Sequence, residues 1–310
     1  MAARTDEDAA SSLRAKMAIY ADDRVRNEMM ELVRTEGEDA LDDPLKAYQV
    51  ECMHYTTHGE QPYEAFARVA GVASGGGGGI RIVDVGSGYG CATRALPLTY
   101  PNGIDSVTGV EIQEEVSRAA SEITDRAVKA GKLPAGSVEH VCASVTDCHP
   151  AGARGAGDVS CALRPFHCGQ CVLVLLHLPE AKRALAYKSI RSILKEGGIF
   201  YIEDYLDNGL TEDDRQRLAS IVACPYVPTR EAYARCLHEA NLDEISFEDV
   251  GSAWAAFTRN RCDRFHATRE RQMKVHGSEL TERLSLFYRT TCELLESGRL
   301  TGVRVVVRAA

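Results

Sequence analysis

The stretch VDVGSGYG, residues 83–90, decides the fold of this chain. It ends a short apolar, β-branched run (80–85) and opens a predicted helix that continues through Leu96. Gly86, Gly88 and Gly90 let the backbone turn sharply and approach a ligand where any Cβ would clash. The spacing is G-x-G-x-G, whereas a dinucleotide fingerprint needs G-x-G-x-x-G, and Cys91 holds the place of that third glycine. The turn therefore suits a ligand without a pyrophosphate.

A carboxylate follows the next strand along the chain. Glu111 ends this second predicted strand, where it can accept two hydrogen bonds from ribose hydroxyls. Alone, such a residue is equally well read as a solvated acid at a strand end. Together with the turn at Gly86, Ser87, Gly88 and Gly90, it predicts a site for S-adenosyl-L-methionine. Asp84, just before the turn, is expected to hold the loop backbone or to reach a cofactor amine through water.

Strand and helix signals alternate after the turn. We predict strands at 80–85, 107–111, 138–142, 198–203, 245–250 and 303–307, with helices at 112–130 and 179–194. This alternation is typical of a largely parallel sheet covered by helices on both faces. The fourth strand has two candidates, 158–163 and 172–176, and the residues between them (164–171) suit neither a strand nor a helix.

The chain divides into three parts by composition. Residues 1–74 are predicted to be a helical N-terminal extension, with apolar helical spacing in 11–50 and a short helix at 62–72. Five consecutive glycines, 75–79, read as a flexible linker. Residues 80–310 form the predicted α/β domain, interrupted by helical insertions at about 206–240 and 252–300, which we expect to cap the carboxyl edge of the sheet.

Charge and composition limit the partners. The formal net charge is −9, and no Lys/Arg block provides the basic face that nucleic acid or an anionic membrane would require. The N-terminus lacks the apolar run of a signal peptide, so we expect a cytoplasmic protein with reduced cysteines. Cys168 and Cys171 form a single CxxC, which is weak support for a metal or redox site, and we predict free thiols and no metal.

These residues, together with HLPEAKRAL (177–185) and LKEGGIFYIEDY (194–205), resemble class I S-adenosylmethionine-dependent methyltransferases over about residues 50–310. Within that superfamily the chain is most similar to the phosphoethanolamine and sarcosine/dimethylglycine methyltransferases. The subgroup features are YTT (55–57), LHL (176–178), IEDY (202–205), PYVPTREAY (225–233) and the region of Trp254. The resemblance implies a Rossmann-like, seven-stranded, mostly parallel sheet with its last strand antiparallel, and a helical lid over the active site.

The resemblance also nominates site residues. His177 corresponds to the histidine of a Tyr–His catalytic pair, and Tyr205 to an aromatic residue that contacts substrate. The tyrosine partner is not matched in frame, which leaves Tyr20, Tyr48 and Tyr55 as substitutes, with Tyr55 preferred. Beyond the glycine turn and Glu111, the implied cofactor contacts are Ile112, Ser144 and Val145.

Several positions depart from the subgroup pattern. Ser144 stands where the family has an adenine-binding Asp, with Asp147 three residues later. Leu173 replaces a substrate-facing Asp, and Cys224 replaces a phosphate-contacting Arg. Losing that Asp and that Arg argues against phosphoethanolamine as the substrate.

We therefore expect methyl transfer to a small molecule, at the nitrogen of an amine or amino acid, by a monomer or weak dimer. S-, O- or C-methylation, a non-catalytic cofactor-binding regulator and a nicotinamide dehydrogenase remain as alternatives. His177 is either a general base or a histidine that hydrogen-bonds the backbone. Tyr205 either orients substrate or is a half-buried strand-end aromatic, and the segment of Tyr55, with His54 and His58, is either a lid or a solvated loop. Trp254 and Phe257 are expected in the core rather than the site.

Overall fold

A computed structural model describes residues 23–46, 54–74, 79–151 and 161–310 of the chain. The predictions for residues 11–22, for Tyr20 and Tyr48, for most of the glycine run and for residues 158–160 lie outside this part. Within it, the main sheet has seven strands: β1 (Ile80–Val85), β2 (Ile104–Glu111), β3 (Val138–Cys142), β6 (Phe166–Val172), β7 (Leu194–Asp207), β8 (Leu242–Asp249) and β9 (Leu300–Ala309). Two short strands, β4 (Cys148–Pro150) and β5 (Cys161–Leu163), pair separately.

The sheet order is β3-β2-β1-β6-β7-β9-β8. All neighbouring pairs from β3 to β7 are parallel. The last strand of the chain, β9, is inserted between β7 and β8 and runs antiparallel to both. The predicted seven-stranded, mostly parallel sheet with an antiparallel last strand is confirmed.

Nine α-helices of the described residues surround the sheet: α1 (Asp23–Glu36), α2 (Pro62–Val69), α3 (Cys91–Thr99), α4 (Glu114–Lys129), α5 (Glu180–Ile193), α6 (Glu212–Ile221), α7 (Arg230–Glu239), α8 (Gly251–Ala267) and α9 (Arg269–Glu296). The segments predicted as insertions contain α6 and α7 and, further on, α8 and α9. No helix of the described residues is long and apolar enough to cross a membrane.

Both candidates for the fourth strand were wrong, because the strand lies largely in the segment between them. Phe166–Val172 is the central strand β6, between β1 and β7. The sequence did not indicate this strand because several of its residues are polar. Gln170 is fully buried, but its Nε2 donates to Asp84 Oδ1 at 3.0 Å, and this hydrogen bond allows a polar residue in the interior of the sheet. At Gly169 a Cβ would lie 2.4 Å from Val83 Cγ1, so the glycine is a packing requirement rather than a loop signal. After β6, Leu173 has φ 56° and 175–177 form a 3₁₀ turn, which ends the strand.

Three apolar clusters hold these elements together. One lies on the face of the sheet covered by α5 and α7, around Tyr187, Ile190 and Phe200. A second lies on the opposite face, where α2 and α3 contribute Phe66 and Leu96. The third joins α6, α8 and α9 to the carboxyl ends of the strands. Thus two clusters stabilise the sheet and the third forms a roof above its carboxyl edge.

Candidate active site

The glycine turn sits at the carboxyl end of β1 and is tied to the neighbouring strand. The backbone N–H groups of Gly86 and Ser87 both donate to Val110 O, at 2.7 and 3.1 Å. Gly86, Gly88 and Gly90 have φ of 70°, 54° and 78°, a region that favours glycine. A Cβ on Gly86 would lie 2.2 Å from Val174 Cγ2, whereas a Cβ on Gly88 would point into open space. The bend therefore needs glycine at 86 to fit the protein and keeps an open cradle at 88.

Glu111 closes the other side of this cradle. Its Oε2 accepts the Gly88 N–H at 3.1 Å and its Oε1 accepts the Gln113 N–H at 2.9 Å, so one carboxylate links the turn to the start of α4. The side chain is 7% exposed, and burial raises the pKa of Glu111 above its ordinary value. Each carboxylate oxygen retains further acceptor capacity toward the cleft that it lines. A carboxylate beside an open glycine cradle fits the ribose of a nucleoside.

Asp84 supports the turn from below. Its Oδ2 accepts from Thr93 Oγ1 at 2.7 Å and its Oδ1 from Gln170 Nε2 at 3.0 Å. The side chain is buried and is not among the described residues that line the cleft. These two bonds tie the end of β1 to side chains of α3 and β6, and both expected roles, toward the loop backbone and toward a cofactor amine, stay predictions.

The residues after β2 and β3 line the cleft beside the glycine turn. These are Ile112, Ser144 and Val145, and their contact with the cofactor stays a prediction. Ser144 Oγ accepts the Thr146 N–H at 3.3 Å and so caps a short 3₁₀ turn, 145–147. Asp147 belongs to this turn but does not line the cleft. Hence Ser144, rather than a carboxylate, is the polar group that β3 presents there.

Two tyrosines that line the cleft contact each other through their hydroxyl groups. The hydroxyl oxygens of Tyr55 and Tyr205 are 2.8 Å apart, and both side chains are buried. Asp204 orients Tyr205 by accepting its backbone N–H at 2.8 Å, and Asp204 is itself in a fully buried ion pair with Arg183. Tyr55 is therefore not part of a solvated loop. Of the segment expected to be a lid, His54 and Tyr55 line the cleft, whereas His58 is exposed.

His177 lines the same cleft as the tyrosine pair. Its Nδ1 is 2.9 Å from Ala223 O, and since a carbonyl can only accept, Nδ1 carries the hydrogen. Burial lowers the pKa of His177 to about 4. The imidazole is therefore neutral at physiological pH, with Nε2 as its basic nitrogen. The backbone-bonding alternative is therefore confirmed, and the role of general base stays a prediction for a ring that lines the cleft.

The departures from the subgroup pattern also have structural counterparts. Leu173 lines the cleft and packs in its apolar wall, so this protein has no carboxylate at the position of the family Asp. Cys224 is buried and its thiol lies 3.7 Å from Tyr226 O, which leaves no cation at the Arg position. Trp254 is fully buried with Nε1 bonded to Thr57 Oγ1 at 3.3 Å and is not among the described residues of the cleft wall, as predicted. Phe257 is half-buried and packs at the edge of the roof cluster.

Sequence reasoning missed two residues that close the cleft. Val25 of α1 and Phe287 of α9 both line it and are almost fully buried. Both are ordinary apolar positions of amphipathic helices, so no sequence signal separated them from core residues.

The two cysteines of the CxxC pair lie on opposite faces of the sheet: Cys168 packs in the cluster under α2 and α3, and Cys171 in the cluster under α5. Two thiols on opposite faces of one strand cannot ligate the same metal ion.

Comparisons with known proteins agree with this geometry. A family model described as a methyltransferase domain matches residues 56–246. No curated protein matches the chain. A structure provisionally described as a sarcosine dimethylglycine methyltransferase from Galdieria sulphuraria has 14% identity and a TM-score of 0.68, covering 92% of this chain and 97% of that one.

Two further solved structures share the fold. A phosphoethanolamine N-methyltransferase 2 from Haemonchus contortus, bound to phosphomonomethylethanolamine and S-adenosylhomocysteine, has 14% identity and a TM-score of 0.65, over 89% of this chain and 58% of that one. A geranyl diphosphate C-methyltransferase from Streptomyces coelicolor A3(2), bound to Mg²⁺, geranyl diphosphate and S-adenosylhomocysteine, has 16% identity and a TM-score of 0.57, over 79% and 78%. Since the family model covers more than half of the sequence, the chain belongs to the methyltransferase domain family and is an S-adenosylmethionine-dependent methyltransferase.

Proposed function

We propose that the protein transfers the methyl group of S-adenosylmethionine to the nitrogen of a small amine or amino acid. The observation that carries this proposal is that the bonded hydroxyls of Tyr55 and Tyr205 and the neutral imidazole of His177 line the same cleft as the glycine turn and Glu111. This combination can orient an amine and can accept its proton.

The charges of the cleft support an acceptor without a phosphate group. Of the described residues that line it, none is Arg, Lys or Asp, and Glu111 is the single carboxylate. A phosphate ester would need cationic partners to offset its desolvation. A neutral amine, or an ammonium group near the tyrosine rings, needs none.

The proposed roles follow from position. Gly86, Ser87, Gly88 and Gly90 hold the cofactor by their backbone and Glu111 takes its ribose hydroxyls, while Asp84 keeps the turn in shape. Ile112, Ser144 and Val145 contact the adenine of the cofactor. The cofactor supplies an electrophilic methyl group on a positively charged sulfur. Tyr55 and Tyr205 align the acceptor nitrogen for in-line attack, in which the N–C bond forms as the S–C bond breaks.

His177 is the proposed base. An ammonium acceptor must lose a proton before its nitrogen has a lone pair, and Nε2 of His177 can take that proton because Nδ1 already carries one. The low pKa of His177 keeps its ring neutral before the reaction, and it also makes Nε2 a weak base. Burial beneath α1, α8 and α9 excludes water from the reacting groups.

We also propose how the chain is organised, where the protein acts and what it binds. Residues 1–74 act as a lid joined through the glycine run 75–79 to the catalytic domain 80–310, with the caps at about 206–240 and 252–300. The protein is cytoplasmic, a monomer or weak dimer, and binds neither nucleic acid nor membrane.

A two-step experiment tests the function. Calorimetry with S-adenosylhomocysteine, with NAD as the matched competitor ligand, measures cofactor selectivity. Labelled S-adenosylmethionine is then incubated with a panel of amines, amino acids, thiols, phenols and activated carbon acids. Label in an N-methyl product supports the proposal, and label only in S-, O- or C-methyl products replaces the nitrogen acceptor. Cofactor binding without transfer to any acceptor favours a non-catalytic regulator.

A further inference from the structure

Part of the cleft lining belongs to the roof cluster, the third apolar cluster of the protein. Five of the described lining residues are members of this cluster or pack against it: Tyr55, Leu173, Leu176, Tyr205 and Phe287. The two apolar residues proposed to contact the adenine, Ile112 and Val145, are not part of it. Beyond the proposed cofactor contacts, the described lining is thus mainly aliphatic and aromatic.

Leu173 has an unusual backbone conformation for an aliphatic residue of this lining. Its φ is 56°, in the left-handed region, where a bulky residue is rare and Gly or Asn is common. It follows the central strand β6, and its backbone N–H donates to Glu203 O of β7 at 2.9 Å, which ties it to the sheet. The side chain is half-buried and packs against the roof cluster. A leucine in a conformation that disfavours it indicates a function for its side chain.

The aromatic part of the lining is held in place by its neighbours. The Tyr55 ring packs edge-on against Trp254, with 5.0 Å between the ring centroids, and against Phe257 at 5.7 Å. Arg261 lies over the rings of Tyr55 and Phe257, 5.7 and 4.6 Å from their centroids, and donates to His54 O at 3.2 Å. This arginine is not among the described residues that line the cleft, so its charge stabilises the Tyr55 segment. A preformed apolar surface needs little ordering when a ligand binds.

We infer that the acceptor is an apolar amine, in which the amino group is carried by an aliphatic or aromatic skeleton without a carboxylate or a phosphate. Burial of this skeleton against Leu173, Leu176 and Phe287 stabilises the complex. A carboxylate beside the amino group would be buried among the same side chains, and no Lys or Arg of the described lining would pair with it. The inference rests on the proposed function and narrows its acceptors from amines and amino acids to amines. Leu173 is the residue that we assign to this selectivity.

Matched pairs of ligands test the inference by binding alone. Full-length protein saturated with S-adenosylhomocysteine is titrated in a calorimeter with phenethylamine and phenylalanine, and with isoamylamine and leucine, at constant pH and ionic strength. We expect the amine of each pair to bind about 100-fold more tightly than its amino acid, and methylamine to bind more weakly than either amine. Equal or tighter binding of the amino acids overturns the inference, and so does the absence of binding by both amines.

A substitution at Leu173 tests the residue itself. Leu173→Asn suits the positive φ and removes the apolar side chain, so it should keep S-adenosylhomocysteine affinity and weaken phenethylamine binding about tenfold. Leu185→Asn, at an exposed leucine of α5 outside the described lining, is the matched control and should bind phenethylamine as the wild type does. Equal phenethylamine affinity in Leu173→Asn and wild type overturns the assignment of Leu173.

Labelled S-adenosylmethionine separates this inference from the proposed function. Label on the nitrogen of phenethylamine, in preference to phenylalanine, supports both. Label on an amino acid in preference to its matched amine leaves the proposed function standing and overturns the inference. Label only on thiols or phenols refutes nitrogen as the acceptor. In that case the apolar character of the site is supported if thiophenol is methylated in preference to its carboxylated analogue thiosalicylate, and overturned if the preference is reversed.

Discussion

Replacement of Glu111 by glutamine tests the cofactor site most directly. The carboxylate accepts two backbone N–H groups, from Gly88 and Gln113. A glutamine keeps one carbonyl oxygen, so one of these N–H groups loses its acceptor, at a cost of about 1–3 kcal/mol. In the opposite direction, the glutamine removes a buried negative charge, and the raised pKa of Glu111 reflects the cost of burying that charge. We expect the free energy of unfolding to change by no more than about 1 kcal/mol.

Cofactor affinity should respond far more strongly than stability. The proposed bonds from ribose hydroxyls to Glu111 are charge-assisted and worth roughly 1.5–3 kcal/mol, so Glu111→Gln should weaken S-adenosylhomocysteine binding by about 10- to 100-fold. Calorimetry measures this affinity, and urea unfolding followed by the fluorescence of Trp254, the one tryptophan, measures stability. Glu139→Gln on β3 is the control, because Glu139 bonds Thr108 Oγ1 at 2.8 Å and does not line the cleft. Equal affinity in wild type and Glu111→Gln would refute the reasoning.

The pH dependence has a definite sign. Folding raises the pKa of Glu111, so its ionisation costs stability as pH rises through the folded pKa, and the neutral form is favoured below it. Cofactor binding requires the carboxylate and should therefore weaken as pH falls through this raised pKa. The affinity of Glu111→Gln should lack this dependence.

Three further predictions concern neighbouring groups. The pKa of His177 is about 4 in the folded protein and about 6.5 in the unfolded chain, so its contribution of up to ~3 kcal/mol to the free energy of unfolding is present above pH 6.5 and is lost toward pH 4. Urea unfolding of His177→Gln at several pH values should show that this acid sensitivity is lost. An unchanged slope of stability against pH would contradict burial of the neutral ring. Gly86→Ala should destabilise the protein by about 2–4 kcal/mol, because of the left-handed backbone and the contact with Val174. Adding Val174→Ala to the same chain should restore part of the lost stability. Gly88→Ala should carry only the backbone cost of about 1–2 kcal/mol. Tyr55→Phe and Tyr205→Phe should each cost about 1–2 kcal/mol, because each removes the hydrogen bond between the two buried hydroxyls. The double variant should cost less than their sum, which a double-mutant cycle would show.

The sequence predicted most of the fold because its signals were local. β1 and β3 have the predicted bounds, 80–85 and 138–142. β2, β7 and β9 are longer than predicted, and β8 is Leu242–Asp249 instead of 245–250. The glycine turn needs positive φ at positions 86, 88 and 90, and the glycines at these positions indicate this requirement directly. Glu111 was identified for the same reason, since it ends a predicted strand, whereas Ile112, Ser144 and Val145 were nominated by the family resemblance; all four line the cleft.

What only tertiary structure decided involves partners distant along the chain. Gln170 is acceptable in the central strand because Asp84 receives its amide hydrogen, and no local pattern contains that pairing. The Tyr55–Tyr205 contact joins residues 150 positions apart, and Val25 reaches the cleft only because α1 packs against α9. Sequence periodicity reports which face of an element is buried, but not what is buried against it. The glycine bend is encoded within a few adjacent residues, whereas the part of the cleft lined by Tyr55, His177 and Tyr205 forms only where three separate segments meet.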